Sequence, residues 1–359
     1  MGPAMKRTKR QIPFAGPRRC LVIMSRDNRP TVVVLHNQVG DESAQDELDV
    51  ITQVNVVSEA LAVLDYDPVS VPLALDLQSA VDRIHSLKPA FVFNLVESIA
   101  GTGRLIYFAP ALLDNSGHAY TGSGTDAMYL TTNKPLSKTV MNTHHIATPA
   151  WTSFNGSITE PGFDPPYILK PAWEDASVGL NTCSVFHKKT DLLVHIKNQQ
   201  PIPGDWFAEA YIPGREFNIS ILATAGEPQV LPAAEIDFID FPADKPKIVD
   251  YKAKWETDSF EYQHTVRRFD FPSTDNTLIA ELNEITRRCW KAFNLNGYAR
   301  VDFRIDTDGK PWVLEINANP CISPDSGFVA AAERAGIDFN TVVRRIIDDI
   351  PQYRWLREK

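Results

Sequence analysis

The stretch from Arg300 to Pro320 constrains this chain more than any other. Val301, Phe303 and Ile305 alternate with Asp302, Arg304 and Asp306, the period of a half-buried strand. Asp308-Gly309 is a two-residue hairpin signal, and residues 312–316 read as the return strand. Such a hairpin brings Asp302 and Glu315 together. Asn317 lies two residues beyond Glu315, on the same side of an extended chain. Two carboxylates and one amide oxygen suit a hard cation such as Mg²⁺, which shares its shell with phosphate oxygens. Arg300, two residues before Asp302, falls on that same face and would hold a developing anion. One carboxylate alone would be an ordinary solvated hairpin face; the whole constellation predicts a metal site.

The 359 residues are enough for two or three domains. A formal net charge of −9 argues against a general nucleic-acid surface, and no apolar run approaches membrane-spanning length. Residues 1–19 differ from the rest. They hold Lys6, Arg7, Lys9, Arg10, Arg18 and Arg19, with no acidic residue before Asp27. Lacking a Ser-rich amphipathic pattern or an apolar core, they are expected to be a disordered basic extension. Cys20, Cys183, Cys289 and Cys321 show no Cys-x-x-Cys spacing, so no zinc site or disulfide framework is expected, and a reducing, cytoplasmic setting fits.

Strands at 31–35, 68–71 and 90–93 alternate with helices, one over 47–64 and one marked by Ala80, Ile84 and Leu87. That order predicts an α/β domain over 20–124 with a parallel sheet, closing at the turn-rich Tyr120-Thr-Gly-Ser-Gly124. A central lobe over 125–204 carries a helix at 133–142 and a strand at 167–170. The strand ends in Lys170, followed by a small-residue loop at 175–179. The remaining lobe, 205–359, starts with strands at 206–210 and 216–222 joined by a Pro213-Gly214 turn. Residues 239–272 lack periodicity and read as a long loop, either functional or disordered. A helix at 278–293, the metal hairpin and a closing helix at 342–350 complete the chain.

Lys134 opens a helix, and Lys170 adjoins a loop able to present backbone N–H groups to a phosphate. Neither is diagnostic alone. There is no Gly-x-x-x-x-Gly-Lys-Ser/Thr and no Gly-x-Gly-x-x-Gly after the first strand. The order of the parts decides. Tyr120-Thr-Gly-Ser-Gly, Lys134, Ile-Leu-Lys170-Pro with Ser177-Val-Gly179, Glu209-x-Tyr-Ile-Pro-Gly-Arg-Glu216, then Arg300-x-Asp302 and Glu315-Ile-Asn317 resemble the ATP-grasp superfamily. Within it the chain is most similar to the D-alanine–D-alanine ligases.

The resemblance implies an ATP-grasp fold: an N-terminal parallel-sheet domain, a small central lobe and a C-terminal lobe, with ATP between the last two. It implies that Lys134 and Lys170 contact ATP phosphates, that Glu209 and the backbone at Tyr211 and Ile212 read adenine, and that Glu216 binds ribose. It places Lys254 near the γ-phosphate, with Ser177 in the phosphate-side loop. Asp302, Glu315 and Asn317 would hold two Mg²⁺ ions, for which Mn²⁺ can substitute. Arg300 would stabilise the tetrahedral intermediate, and Ser326 would bind the carboxylate of the amine substrate. The activity implied is amide formation from a carboxylate and an amine through an acyl phosphate, releasing ADP and phosphate, with a homodimer left open. The loop at 175–179 and the 239–272 segment would be the lid that keeps water from that intermediate.

The pattern departs from the family where the first amino acid is recognised. His36-Asn-Gln-Val-Gly-Asp41-Glu42 stands in place of Gly-Gly-x-Ser-x-Glu. Glu97 stands where the family has histidine, Ala176 where it has a first serine, and Trp255 where it has tyrosine. Glu97 with Asp41 or Glu42 would line the first-substrate pocket, so an amino acid or small peptide other than D-alanine is expected. Ordinary D-alanyl-D-alanine synthesis is the alternative. A nucleotide-binding regulator without turnover is a third reading, and the intact Arg300, Asp302, Glu315 and Asn317 argue against it.

Overall fold

The computed structural model describes residues 29–40, 43–154, 159–198 and 205–351. The basic extension at 1–19 and the acidic pair Asp41 and Glu42 lie outside the described residues. Four consecutive apolar residues, Val32 to Leu35, form most of β1 (Thr31–Asn37) and are fully buried. A strand apolar on both faces needs cover on both. Here α1 (Gln45–Val63), β2 (Asp67–Leu73), α2 (Leu77–Leu87) and β3 (Phe91–Asn94) give a parallel sheet in the order β2-β1-β3. Alternation sends Val33, Leu35 and Val92 to one side and Val32, Val34, Phe91 and Phe93 to the other. The second side packs on α1 through Val50, Val54, Val57 and Leu61. α3 (Phe108–Ser116) follows.

The middle of the chain runs α4 (Thr125–Thr132), α5 (Lys134–Thr143), β4 (Trp151–Ser153), β5 (Tyr167–Pro171), β6 (Val185–Phe186), α6 (Lys189–Asn198) and β7 (Trp206–Ala210). Asn133 caps α5 by accepting from the Leu136 amide at 3.0 Å, which starts the helix at Lys134. The strands pair antiparallel in the order β4-β7-β5-β6.

The last part holds β8 (Arg215–Leu222), β9 (Gln229–Val230), β10 (Ala234–Phe238), α7 (Tyr251–Trp255), α8 (Phe260–His264), β11 (Thr265–Arg268), α9 (Asn276–Ala292), β12 (Tyr298–Ile305), β13 (Pro311–Asn317), α10 (Gly327–Arg334) and α11 (Phe339–Asp348). Its sheet runs β11-β10-β8-β12-β13, with β9 also on β8. α11 puts Val342, Val343, Ile346 and Ile347 into the cluster that includes α1 and β3, so the C-terminal elements close over the N-terminal sheet. Among the described residues no helix is long and apolar enough to cross a membrane.

Two expectations need correction. Residues 239–272 are not one irregular loop. Asp250 caps α7 by accepting from Ala253 N, Ser259 caps α8 by accepting from Tyr262 N, and β11 pairs with β10. Each helix is five residues long, too short to show a period in sequence. The β12–β13 connection is the five residues 306–310 rather than a two-residue turn. Asp306 accepts from the Asp308 and Lys310 amides, which widens the loop, and Gly309 takes the left-handed conformation at φ +84°. The expected strands on either side of Pro213-Gly214 are β7 and β8, and they lie in different sheets. Gly214, at φ +135°, packs so close to the Ile305 carbonyl oxygen that any Cβ would collide with it.

Candidate active site

Register puts the predicted oxygen donors side by side. Asp302 on β12 faces Glu315 on β13, and Arg300 faces Asn317. The pairing then slips. Phe303 faces Val313, and Leu314 is the extra residue of a bulge beside Glu315. Lys138 on α5 donates to the Leu314 carbonyl at 3.3 Å, holding that bulge. Asp302 accepts from Arg300 Nε and Nη2, both at 2.8 Å, from Asn218 Nδ2 at 2.8 Å and from Asn317 Nδ2 at 3.3 Å.

These groups line one cavity of about 1010 Å³ that also reaches Lys134, Lys170, Glu209, Tyr211, Ile212, Glu216, Lys254, Ser177, Glu97 and Ser326. Every described residue proposed from the sequence is therefore in the same cavity. Lys134 Nζ bonds Asp175 Oδ1 at 2.8 Å and the Glu174 carbonyl at 2.7 Å, and lies 3.6 Å from Glu315 Oε2. Burial works against the lysine's charge, but Asp175 and Glu315 outweigh it and raise its pKa. Burial likewise works against the charge on Glu315. Lys134, Lys254, Lys170 and Arg300 together overcome it and hold that carboxyl well below the usual carboxylate range. Two carboxylates compete for Lys134, and burial pushes Asp175, the other one, up. Lys254 on α7 is lowered by burial and then by Arg300.

Glu209 is almost wholly buried on β7, where it pairs with Lys138 at 2.7 Å and with Lys170. Its side chain thus neutralises two lysines, and the cavity edge beyond it is formed by Ala210, Tyr211 and Ile212. Glu216 on β8 is paired with Arg304 at 2.8 Å. Burial raises its pKa, and Arg304 opposes this.

The two stretches expected to form a lid meet. Ala176 and Ser177 both take the left-handed conformation, φ +54° and +63°, a strain of about 1–3 kcal/mol for each non-glycine residue. Ser177 Oγ donates to the Val249 carbonyl at 2.7 Å, and Trp255 Nε1 donates to the Ala176 carbonyl at 3.2 Å. Tyr251 on α7 donates to Asp46 on α1 at 2.9 Å, so the same segment also reaches the N-terminal sheet domain.

At that end Glu97 accepts from Gln53 Nε2 at 2.9 Å, and Gln53 in turn accepts from the Ile322 amide at 3.0 Å. Burial pushes the Glu97 carboxyl up to about 7, and Gln53 only partly offsets this. Cys321 donates its thiol to Asp49 at 3.0 Å. Further along the segment that begins at Cys321, Ser326 caps α10 by accepting from Val329 N at 3.2 Å.

Sequence reasoning missed Asp175, Lys138, Asn218, Arg304 and Gln53. Three carried a signal. Lys138 is one helical turn from Lys134, Asn218 follows Glu216 by two on β8, and Arg304 follows Asp302 by two on β12, so each shares a face with a residue already singled out. The others reach their partners only through tertiary contact.

Among the described residues no three His, Cys, Asp or Glu side chains are grouped to hold a metal. The hairpin offers two carboxylates and an amide, an oxygen set that fits Mg²⁺ only if phosphate oxygens complete the shell. Three lysines in the same cavity suit those phosphates.

Two antiparallel sheets around such a cavity, with a parallel-sheet domain beside them, are the ATP-grasp arrangement. A family model described as "D-ala D-ala ligase C-terminus" matches residues 149–348. "Uncharacterized protein y4sG" of Sinorhizobium fredii is 33% identical over 264 residues, 72% of this chain and 73% of its own length. A D-alanine–D-alanine ligase of Synechococcus sp. (strain JA-3-3Ab) is 31% identical, covering 67% of this chain and 71% of its own length. The crystal structure of the Bacillus anthracis D-alanine–D-alanine ligase complexed with ATP matches with a TM-score of 0.70 at 20% identity, over 91% of this chain and 99% of that one. The chain belongs to the D-alanine–D-alanine ligase family, and it is an ATP-dependent ligase.

Proposed function

We propose that the protein joins a carboxylate and an amine, drawn from amino acids or small peptides other than D-alanine, at the expense of ATP. The observation that carries this reading is the single cavity. It joins the lysines and hairpin carboxylates to Glu97 on the parallel-sheet domain. In this reading the 20–124 lobe supplies the first-substrate pocket, while the 125–204 and 205–359 lobes hold the nucleotide.

Each side chain then has a task. Lys134, Lys170 and Lys254 neutralise the phosphates, and Ser177 closes the phosphate side. Backbone at Tyr211 and Ile212 reads adenine. Glu209 keeps Lys138 and Lys170 in place beside it, and Glu216 takes the ribose hydroxyls. Asp302, Glu315 and Asn317 would hold two Mg²⁺ ions, which supply charge neutralisation at the transferring phosphoryl group. Transfer to the substrate carboxylate makes an acyl phosphate. The amine attacks it, Arg300 holds the oxyanion, and phosphate leaves. The contacts between the 175–179 loop and α7 keep water out. Ser326 receives the carboxylate of the amine substrate.

Glu97 suits a substrate ammonium, whose positive charge would lower the carboxyl pKa so that its proton passes to water and an ion pair remains. Asp41 and Glu42 are assigned to the same pocket from sequence. A reducing cytoplasmic location and a homodimer belong to this reading as well. Ligation of two D-alanines is the second reading, favoured by the relatives that carry that name. An ADP-release assay over amino acid and dipeptide pairs tests the proposal. We expect release that needs both a carboxylate and an amine partner. Release unaffected by any partner would contradict it.

A further inference from the structure

β11, inside the segment that has no readable period, brings a cation into the cavity. Arg267 and Arg268 are consecutive on this strand and so point to opposite sides. Arg268 is paired there with Glu235 and Asp237. Arg267 pairs in register with Ile236, also a cavity residue, and its guanidinium lies against Gly327, beside Ser326. Nη2, Cζ and Nε all lie 3.5–3.6 Å from where a Gly327 Cβ would be, so the group lies flat over that glycine. The cavity's other arginines are spoken for, Arg300 by Asp302 and Arg304 by Glu216. Arg267 has no ion pair among the described residues. Asp325 is its opposite-charge neighbour, but makes no salt bridge with it, and Arg300 repels it. It remains open to solvent, and the charge is unspent at the end of the cavity assigned to the amine substrate.

We propose that Arg267 is a specificity residue that binds a carboxylate of the amine substrate additional to the one assigned to Ser326. The acceptor is then an acidic amino acid or a peptide with an acidic group near its amine. The inference rests on the function proposed above. A zwitterionic acceptor brings one carboxylate and one amine, and in the proposed function Ser326 already receives that carboxylate. A further fixed guanidinium, planar and forked, matches a second carboxylate in bidentate geometry. Without such a partner it would repel Arg300 and the substrate ammonium.

The test uses the full chain loaded with Mg²⁺ and a non-hydrolysable ATP analogue, and titrates glutamate and glutamine of each hand by calorimetry. These probes differ only in the charge of the side-chain terminus. Glutamate of one hand is expected to bind about tenfold or more tighter than the matching glutamine. Arg267→Gln should abolish that ratio without changing affinity for the ATP analogue, and Arg267→Lys should restore part of it. Equal binding of glutamate and glutamine, no binding of either, or an unchanged ratio in Arg267→Gln would overturn the proposal. The ATP analogue reads the underlying function separately. Failure to bind it removes both readings, while normal binding without a glutamate preference removes only this one.

Discussion

Glu315 sits among four cations, Lys134, Lys254, Lys170 and Arg300, and this surplus of positive charge keeps it ionised despite burial. Glu315→Gln keeps the shape but removes the anion. ATP turnover should fall on the order of a hundredfold or more, with far-UV circular dichroism unchanged. Turnover preserved at saturating Mg²⁺ would remove Glu315 from the site. Glu97 behaves oppositely. Unfolded, it releases its proton near 4.5, whereas folded it keeps it to about 7. The folded state is therefore penalised as pH rises through that window, and the penalty is absent below it. Glu97→Gln should be more stable than the parent at pH 8 by on the order of 1–3 kcal/mol, and equal to it at pH 4. Urea unfolding at the two pH values reads this, and an equal difference at both would contradict it. Lys138 is fully buried on Glu209, Thr148 and the Leu314 carbonyl. Burial lowers its pKa and Glu209 restores part of it. Lys138→Met leaves Glu209 with Lys170 alone and breaks the bulge contact, costing about 3 kcal/mol in unfolding free energy. A loss under about 0.5 kcal/mol would show that the pair is dispensable.

Elements explain what could be read in advance. The β12–β13 hairpin was legible because one face is apolar and the other charged, so period and register are both written in the residues. The parallel sheet was legible for the same reason: its strands and the apolar stripe of α1 are strong local patterns. α7, α8 and β11 were not, because a helix of little more than one turn shows no period. They are held by caps at Asp250 and Ser259 and by pairing with β10. The site followed the same division. Asp302, Glu315, Asn317 and the lysines could be named from their place in the chain. The pairing of Glu209 with Lys138 could not, since it depends on two elements meeting. The contact of α7 with α1 has its own consequence. Tyr251→Phe removes the hydrogen bond to Asp46, worth about 0.5–1.5 kcal/mol. With the proposed lid weakened, ADP release should exceed amide formed by a measurable margin, the proposed acyl phosphate being lost to water. A ratio of one in the variant would show that Tyr251 does not guard the intermediate.

At the scale of the whole molecule, three sheets meet around one cavity. The cavity's lysines, Lys134, Lys170 and Lys254, come from α5, β5 and α7, and Asp302, Glu315 and Asn317 from β12 and β13. Glu97 follows the carboxyl end of β3, the side of a parallel sheet where ligands bind. In the proposed reading nucleotide chemistry belongs to the two C-terminal lobes, while the choice of substrate falls to the N-terminal sheet, where Glu97 departs from the family pattern, and to Arg267 on β11, within the stretch that the family model matches. Product analysis by mass spectrometry, with ATP, Mg²⁺ and D-alanine as the sole amino acid, tests that division most directly. The account predicts little or no D-alanyl-D-alanine, from a preparation that releases ADP with its own substrate pair. Efficient dipeptide formation would contradict it, and would show that the departures at the N-terminal sheet are tolerated substitutions in an ordinary D-alanine–D-alanine ligase.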